Sequence, residues 1–136
     1  MPIEISHLMQ TAMGQKDAIK VGDLPRQVAK HMGCHPAVVY LGGAELHKIT
    51  LKHKDISAER LQMLFMAIRD GEYRTDDQNR ARHLTVIWEF PETRETYVIG
   101  LKSASNGGEV WICTYYKISG RKLDKKLRKT TRIYQR

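Results

Sequence analysis

The chain has 136 residues, a formal net charge of +8 and a sequence pI of about 9.6. It has no apolar run near the roughly 18 residues that cross a bilayer, and its first residues lack the basic start and apolar centre of a signal peptide. We therefore expect one soluble, cytoplasmic domain without membrane contact. Cys34 and Cys113 have no paired spacing, and neither an HExxH pattern nor an acidic cluster occurs, so we expect no metal site and no cofactor.

Residues 1–36 predict an accessory segment of short helices. An amphipathic stretch covers 5–13, and Asp23 is placed to cap a second helix over 25–32, which Gly33 would end. This second helix offers an apolar stripe to a neighbour but no reactive group. We assign the segment no catalytic role.

Residues 37–119 predict the core of the domain. The apolar run over 37–41 favours a buried strand, and two helices follow over 44–54 and 57–70, the second ended by Gly71. Three extended segments come next, HLTVIWEF, TYVIGLKSA and EVWICTYYKI, joined by the turn sequences PETR and SNGG. Helices followed by such a meander are typical of an α+β fold, so we predict a single domain with N-terminal helices packed on one face of an antiparallel sheet.

Residues 120–136 form a basic C-terminal tail. From Lys117 to Arg136 there are nine basic residues against Asp124 alone, a surplus that equals the net charge of the whole chain. Such a run is commonly a solvated tail, but Ile133 and Tyr134 favour partial docking, and the charge favours contact with phosphate.

Reactive side chains concentrate in the segment 45–55, which includes most of the helix predicted over 44–54. Lys48 and Lys52 share one helix face, while His53 continues an apolar stripe and should point toward the sheet. A packed histidine with one hydrogen bond, and lysines that serve solubility, explain the same pattern without chemistry.

A second concentration lies in the meander. Counting outward from the SNGG turn pairs Lys102 with Trp111 or Ile112, so Thr114 becomes a diagonal neighbour that can share its sheet face. Solvent exposure of the lysine and the β-propensity of threonine are the simpler explanations. Cleavage of RNA without a metal needs a base for the 2′-hydroxyl, cations for the phosphate and an acid for the 5′-oxygen, and these residues can supply each.

The last hundred residues or so resemble the phage-associated branch of the barnase, EndoU, colicin and RelE-like ribonucleases. The resemblance rests on VVYLGGAELHKITLKHKDISAERLQMLFMAIRDGEY and YVIGLKSASNGGEVWICTYYKI, where a lysine precedes a KH pair, a strand lysine precedes a small residue, and a threonine precedes aromatics. It implies a curved antiparallel sheet and a metal-independent endoribonuclease, often a toxin of phage, mobile-element or interbacterial systems. We therefore expect cleavage to leave a 2′,3′-cyclic phosphate and an antitoxin or immunity protein to be the partner, and the basic surface predicts that this partner is acidic. The target, whether tRNA, messenger RNA or ribosomal RNA, stays open.

On this reading the catalytic residues are His53, Lys102, Lys48 and Thr114. His53 would transfer the proton. Lys48 and Lys102 would contact the scissile phosphate, and Thr114 would position this phosphate. The substrate-binding residues would be Lys52, Tyr115, Tyr116, Arg121, Lys122, Lys125 and Lys126.

Two other functions fit the same sequence. One is an RNA-binding module without turnover, in which Tyr115, Tyr116 or Trp111 stack on bases. The other is a phage-type protein that binds a host protein.

Overall fold

The computed structural model describes residues 18–32, 38–44, 48, 63–104 and 109–135. In chain order its elements are β1 (Ala18–Asp23), α1 (Arg26–Met32), β2 (Val38–Gly42), α2 (Leu64–Asp70), β3 (Glu72–Thr75), β4 (His83–Glu89), β5 (Thr96–Ser103), β6 (Glu109–Ile118), α3 (Gly120–Lys129) and β7 (Arg132–Tyr134). None of the described helices is long and apolar enough to cross a membrane.

The strands form one seven-stranded sheet in the order β1-β2-β6-β5-β4-β3-β7. The neighbours β2 and β6 run parallel, from Val38 opposite Glu109 to Tyr40 opposite Trp111, and the other neighbouring strands are antiparallel. The predicted strands over 37–41 and in the meander are confirmed as β2, β4, β5 and β6.

The predicted fold class is wrong. The chain is not an α+β fold with N-terminal helices packed on a curved antiparallel sheet, but a mixed α/β domain dominated by the sheet, with three short helices spread along the described chain. Two features explain the difference. The strand β2 pairs parallel with β6. The segment expected to hold only short helices also contains β1, where Ile19 and Val21 are buried and Lys20 is exposed, a period of two that suits a strand with one buried face. The predicted helix over 25–32 is confirmed as α1, whereas the predicted helix over 5–13 lies outside the described residues.

The core lies on one face of the sheet. Alternate residues of the central strands point into it, and α1 and α2 add their apolar sides. The approach of α2 to β4 is very close, because a Cβ at Gly71 would lie 2.5 Å from both the Ala67 carbonyl oxygen and Val86 Cγ1. Only glycine fits this junction without displacing backbone or core.

The C-terminal segment is folded and docked. Residues of β7 pair with β3, and Ile133 and Tyr134 pack against the core, which confirms the predicted docking of these two residues. Arg74 of β3 ties α3 to the sheet by donating hydrogen bonds to the carbonyl oxygens of Leu127 (3.1 Å) and Thr130 (2.9 Å). A guanidinium at the negative end of a helix also complements the helix dipole.

Candidate functional site

The candidate site lies on the sheet face opposite the core, which we call the polar face. Strand alternation places Lys102 on this face, because its neighbours Leu101 and Ser103 are buried on the core side. The predicted pairing of Lys102 with Trp111 is confirmed, and both side chains project from the polar face.

A β-bulge at Cys113 decides which residues of β6 join Lys102. The register changes from Leu101 opposite Ile112 to Gly100 opposite Thr114, so Cys113 is the extra residue. Thr114 thereby projects from the polar face, as shown by its Cγ2, which would lie 2.7 Å from a Cβ at Gly100. The bulge brings Lys102 and Thr114 onto one face.

The same bulge sends Tyr115 into the core. Its exposure is 0%, and its ring centroid lies 5.3 Å from that of Tyr97. The proposed substrate-binding role of Tyr115 therefore has to be corrected, since a ring at this position cannot stack on a base. Tyr116, the next residue, is half-buried on the polar face, opposite Val98.

His83 is the functional candidate that the sequence analysis missed. It is the first residue of β4 and pairs with Lys102 of β5, so the two side chains are cross-strand neighbours on the polar face. Counting outward from the PETR turn gives this pair directly, because Glu89 pairs with Thr96 and the register continues without a shift.

The imidazole of His83 is oriented by the backbone. Its Nδ1 lies 2.8 Å from the carbonyl oxygen of Ala81. A carbonyl oxygen only accepts hydrogen bonds, so Nδ1 carries the proton and Nε2 of the neutral ring keeps its lone pair. Nε2 is therefore the nitrogen that can take a proton from a ligand.

Two cavities meet at His83. The first, of about 240 Å³, is lined by His31 at the end of α1 together with Arg80 and Arg82. The second, of about 200 Å³, lies on the polar face under α3 and is lined by Thr114, Tyr116 and Lys126. His83 and Arg80 line both, so a ligand in either cavity meets an imidazole and a guanidinium.

The loop between β3 and β4 is organised by the buried carboxylate of Asp76. This carboxylate accepts hydrogen bonds from Arg80 Nε (3.0 Å), Nη2 (2.9 Å) and backbone N–H (2.9 Å), and from the backbone N–H of Gln78 (3.2 Å). The hydrogen bonds from the Arg80 side chain and backbone lower the pKa of Asp76 to about 2, against the opposing effect of burial. Asp76 therefore stays charged and fixes Arg80 beside His83.

Lys126 closes the second cavity from the side of α3. Its Nζ donates a hydrogen bond to Asp77 Oδ2 at 2.9 Å. Burial lowers the pKa of Lys126, but the hydrogen bond to Asp77 and the interaction with Tyr116 outweigh it, so the pKa is raised overall. Lys126 thus carries a fixed positive charge.

The other predicted site residues are not all brought together. Arg121, Lys122 and Lys125 are exposed on the outer side of α3, and Lys48 is exposed. Lys52 and His53 lie outside the described residues, so their relation to Lys102 is not defined. Within the described ranges, no three His, Cys, Asp or Glu side chains are grouped to hold a metal ion.

Comparison with known proteins gives no family for this chain. No protein-family model matches it, and neither does a curated protein or a solved structure.

Proposed function

We propose that this protein is a metal-independent endoribonuclease in which His83 transfers the proton. The observation that supports the proposal is the pair of His83 and Lys102, adjacent on the polar face, with Nε2 of His83 made the proton acceptor by the bond to Ala81. A base beside a cation is what in-line attack on a phosphodiester requires.

In the proposed reaction, His83 Nε2 takes the proton of the ribose 2′-hydroxyl. The 2′-oxygen then forms a bond to phosphorus while the bond from phosphorus to the 5′-oxygen breaks. The products are a 2′,3′-cyclic phosphate and a 5′-hydroxyl. Lys102 offsets the charge that develops on the phosphate oxygens, and His31, which lines the same cavity as His83, is the candidate donor for the leaving 5′-oxygen.

Cleavage of total RNA in the presence of EDTA tests this proposal. We expect the wild type to release 2′,3′-cyclic ends and His83→Gln to be slower by about a hundredfold to ten-thousandfold, the usual worth of general acid–base catalysis. Lys102→Ala should lose rate and some affinity, because the lysine contacts phosphate in both ground and transition states. Lys117→Ala is the matched control, since it removes an exposed strand lysine that is paired with Glu95 instead.

The same assay separates His83 from His53, the proton-transfer residue expected from the sequence. If folded His53→Gln loses its activity while His83→Gln keeps it, the proton passes through the helix histidine and our assignment fails. Full activity of both variants would exclude His83 and His53 alike as the residue that takes the 2′-hydroxyl proton.

An RNA-binding module without turnover is the second candidate, and the ion pairs near His83 favour it. Arg80 forms an ion pair with Asp76 and Lys126 with Asp77, so both cations beside His83 are already neutralised. The exposed lysines of α3 are available to bind phosphate away from His83. Salt-sensitive binding of intact RNA, with no cleavage by the wild type, would select this function.

The proposed partner of the enzyme is an acidic inhibitor. Lys102 and the exposed basic side of α3 would attract it, since complementary charge speeds association and the bound inhibitor would block substrate. Mass spectrometry of proteins that co-purify with the chain tests this, and an acidic protein released at high salt is the expected result.

A further inference from the structure

A row of side chains crosses five strands of the polar face. Lys20 of β1 pairs with Tyr40 of β2, Tyr40 with Trp111 of β6, Trp111 with Lys102 of β5, and Lys102 with His83 of β4. We call this the basic–aromatic row. At about 4.8 Å between strands it is about 19 Å long.

We propose that the basic–aromatic row binds single-stranded RNA, with a base stacked on the Tyr40–Trp111 pair and phosphates on Lys20 and Lys102. This inference rests on the proposed function and deepens it, because the row ends at His83. It assigns the substrate as an unpaired segment, since a base buried in a duplex cannot reach an aromatic side chain.

The aromatic pair is built as a stacking platform. The ring centroids of Tyr40 and Trp111 are 5.2 Å apart with an interplanar angle of 30°, and both side chains remain partly exposed. Trp111 Nε1 donates a hydrogen bond to Glu109 Oε2 at 3.2 Å, which fixes the orientation of the indole. Stacking of a base on these rings costs the protein little conformational entropy, because the rings are already ordered.

Space and charge for the occupant lie beside the rings. Trp111 and Lys102 line a cavity of about 330 Å³ together with Cys113. Lys102 is exposed, and Lys20 has only a 3.7 Å contact with Asp23, in which both side chains are more than half exposed. Exposed pairs of this kind contribute little, so the Lys20 ammonium is available to phosphate. A lysine on either side of the rings suits an anionic backbone that crosses a stacked base.

Fluorescence offers a direct test, because Trp88 and Trp111 are the only tryptophans. In a Trp88→Phe background Trp111 is the sole reporter, and it can be titrated with a 2′-O-methyl RNA oligonucleotide that cannot be cleaved by 2′-hydroxyl attack. We expect strong quenching by this oligonucleotide and little by an abasic one of equal length. In this titration Tyr40→Leu should weaken binding about tenfold to a hundredfold, as for loss of a base–aromatic stack. Trp111→Leu removes the reporter, so its binding is measured by gel shift in the otherwise wild-type protein, where the same loss is expected.

The controls make a negative result informative. Phe65→Leu removes a partly exposed aromatic side chain of α2 and should leave affinity unchanged. Lys20→Gln should lower the salt slope of binding by about 0.7, the value for one phosphate contact on a single strand. Folding of each variant is checked by thermal denaturation. If a variant fails to fold, the comparison of normal and abasic oligonucleotides on the Trp88→Phe protein, which keeps Tyr40, still tests the inference.

The outcomes separate this inference from the proposed function. Equal quenching by the normal and abasic oligonucleotides, or unchanged affinity in folded Tyr40→Leu, overturns base stacking even if RNA is cleaved. Stacking without any cleavage supports RNA binding by the basic–aromatic row and overturns the proposed endoribonuclease activity. Tighter binding of duplex than of single-stranded RNA would also overturn the inference.

Discussion

The carboxylate of Asp76 allows a quantitative prediction about the loop that holds Arg80 beside His83. Asp76 is only 5% exposed, and hydrogen bonds from Arg80 lower its pKa from 3.8 to about 2. Because one pKa unit is worth about 1.4 kcal/mol, this difference corresponds to about 2 kcal/mol in favour of the folded state at neutral pH. We expect Asp76→Asn to lower the free energy of unfolding by about this amount at pH 7.

The pH dependence follows from the direction of the pKa change. A carboxyl group whose pKa is lower in the folded state stabilises the protein above its unfolded pKa, near 3.8, and loses this effect as the pH falls toward 2. Urea unfolding of wild type and Asp76→Asn, measured from about pH 7 down to about pH 2, should therefore show two curves that converge below about pH 4. Asp124→Asn, which changes the exposed acid of α3, is the control and should differ from wild type by less than about 0.5 kcal/mol. A constant difference between the curves at all pH values would refute the reasoning.

Three further predictions concern packing, docking and charge. Gly71→Ala should lower the free energy of unfolding by about 1 to 3 kcal/mol in urea, because the added Cβ meets backbone and Val86, whereas Gly22→Ala places its Cβ at an ordinary 3.5 Å from Ile68 and should be tolerated. Arg74→Leu should lower the free energy of unfolding by about 3 to 5 kcal/mol, because it leaves the largely buried Glu72 unpaired. It should also expose the C-terminal segment to protease, because the hydrogen bond to Thr130 is lost, and unchanged protection would contradict the proposed anchoring of α3. Three of the exposed cations of α3, Arg121, Lys122 and Lys125, are replaced together by glutamine in the last prediction. The salt slope of RNA binding should fall by about 0.7 for each lost contact, and an unchanged slope would show that these three residues do not touch RNA.

Local patterns in the sequence predicted the centre of the sheet. Alternation and the turn sequences PETR and SNGG define β4, β5 and β6, because antiparallel neighbours are joined by short connections whose length fixes the register. The edges depend on distant pairing. The three residues of β7 are too few for a local pattern, and the alternation in β1 covers only Ile19 to Val21, so each segment becomes a strand through its pairing with β3 or β2.

The candidate site was predicted only in part, again because some of its contacts depend on pairing between distant segments. Strand alternation predicted Lys102 and Thr114 as site residues. They share one face only because of the bulge at Cys113, and no local sequence pattern predicts this bulge. That bulge also decides that Tyr115 faces the core and Tyr116 the polar face. His83 could have been found by counting from the PETR turn, whereas His31 enters the site only because α1 ends beside the β3–β4 loop.

The parallel pairing of β2 with β6 has a consequence for how the protein is made. About 70 residues separate Val38 from its partner Glu109, so at about 5 to 20 residues per second the antiparallel pair of β1 and β2 waits roughly 4 to 14 s for the strand that it joins. During that interval Val39 and Leu41 lack the neighbour that buries them in the finished sheet. Tyr40 and Trp111 also come together only after this wait, so the nascent chain has no stacking platform until most of the protein has been translated.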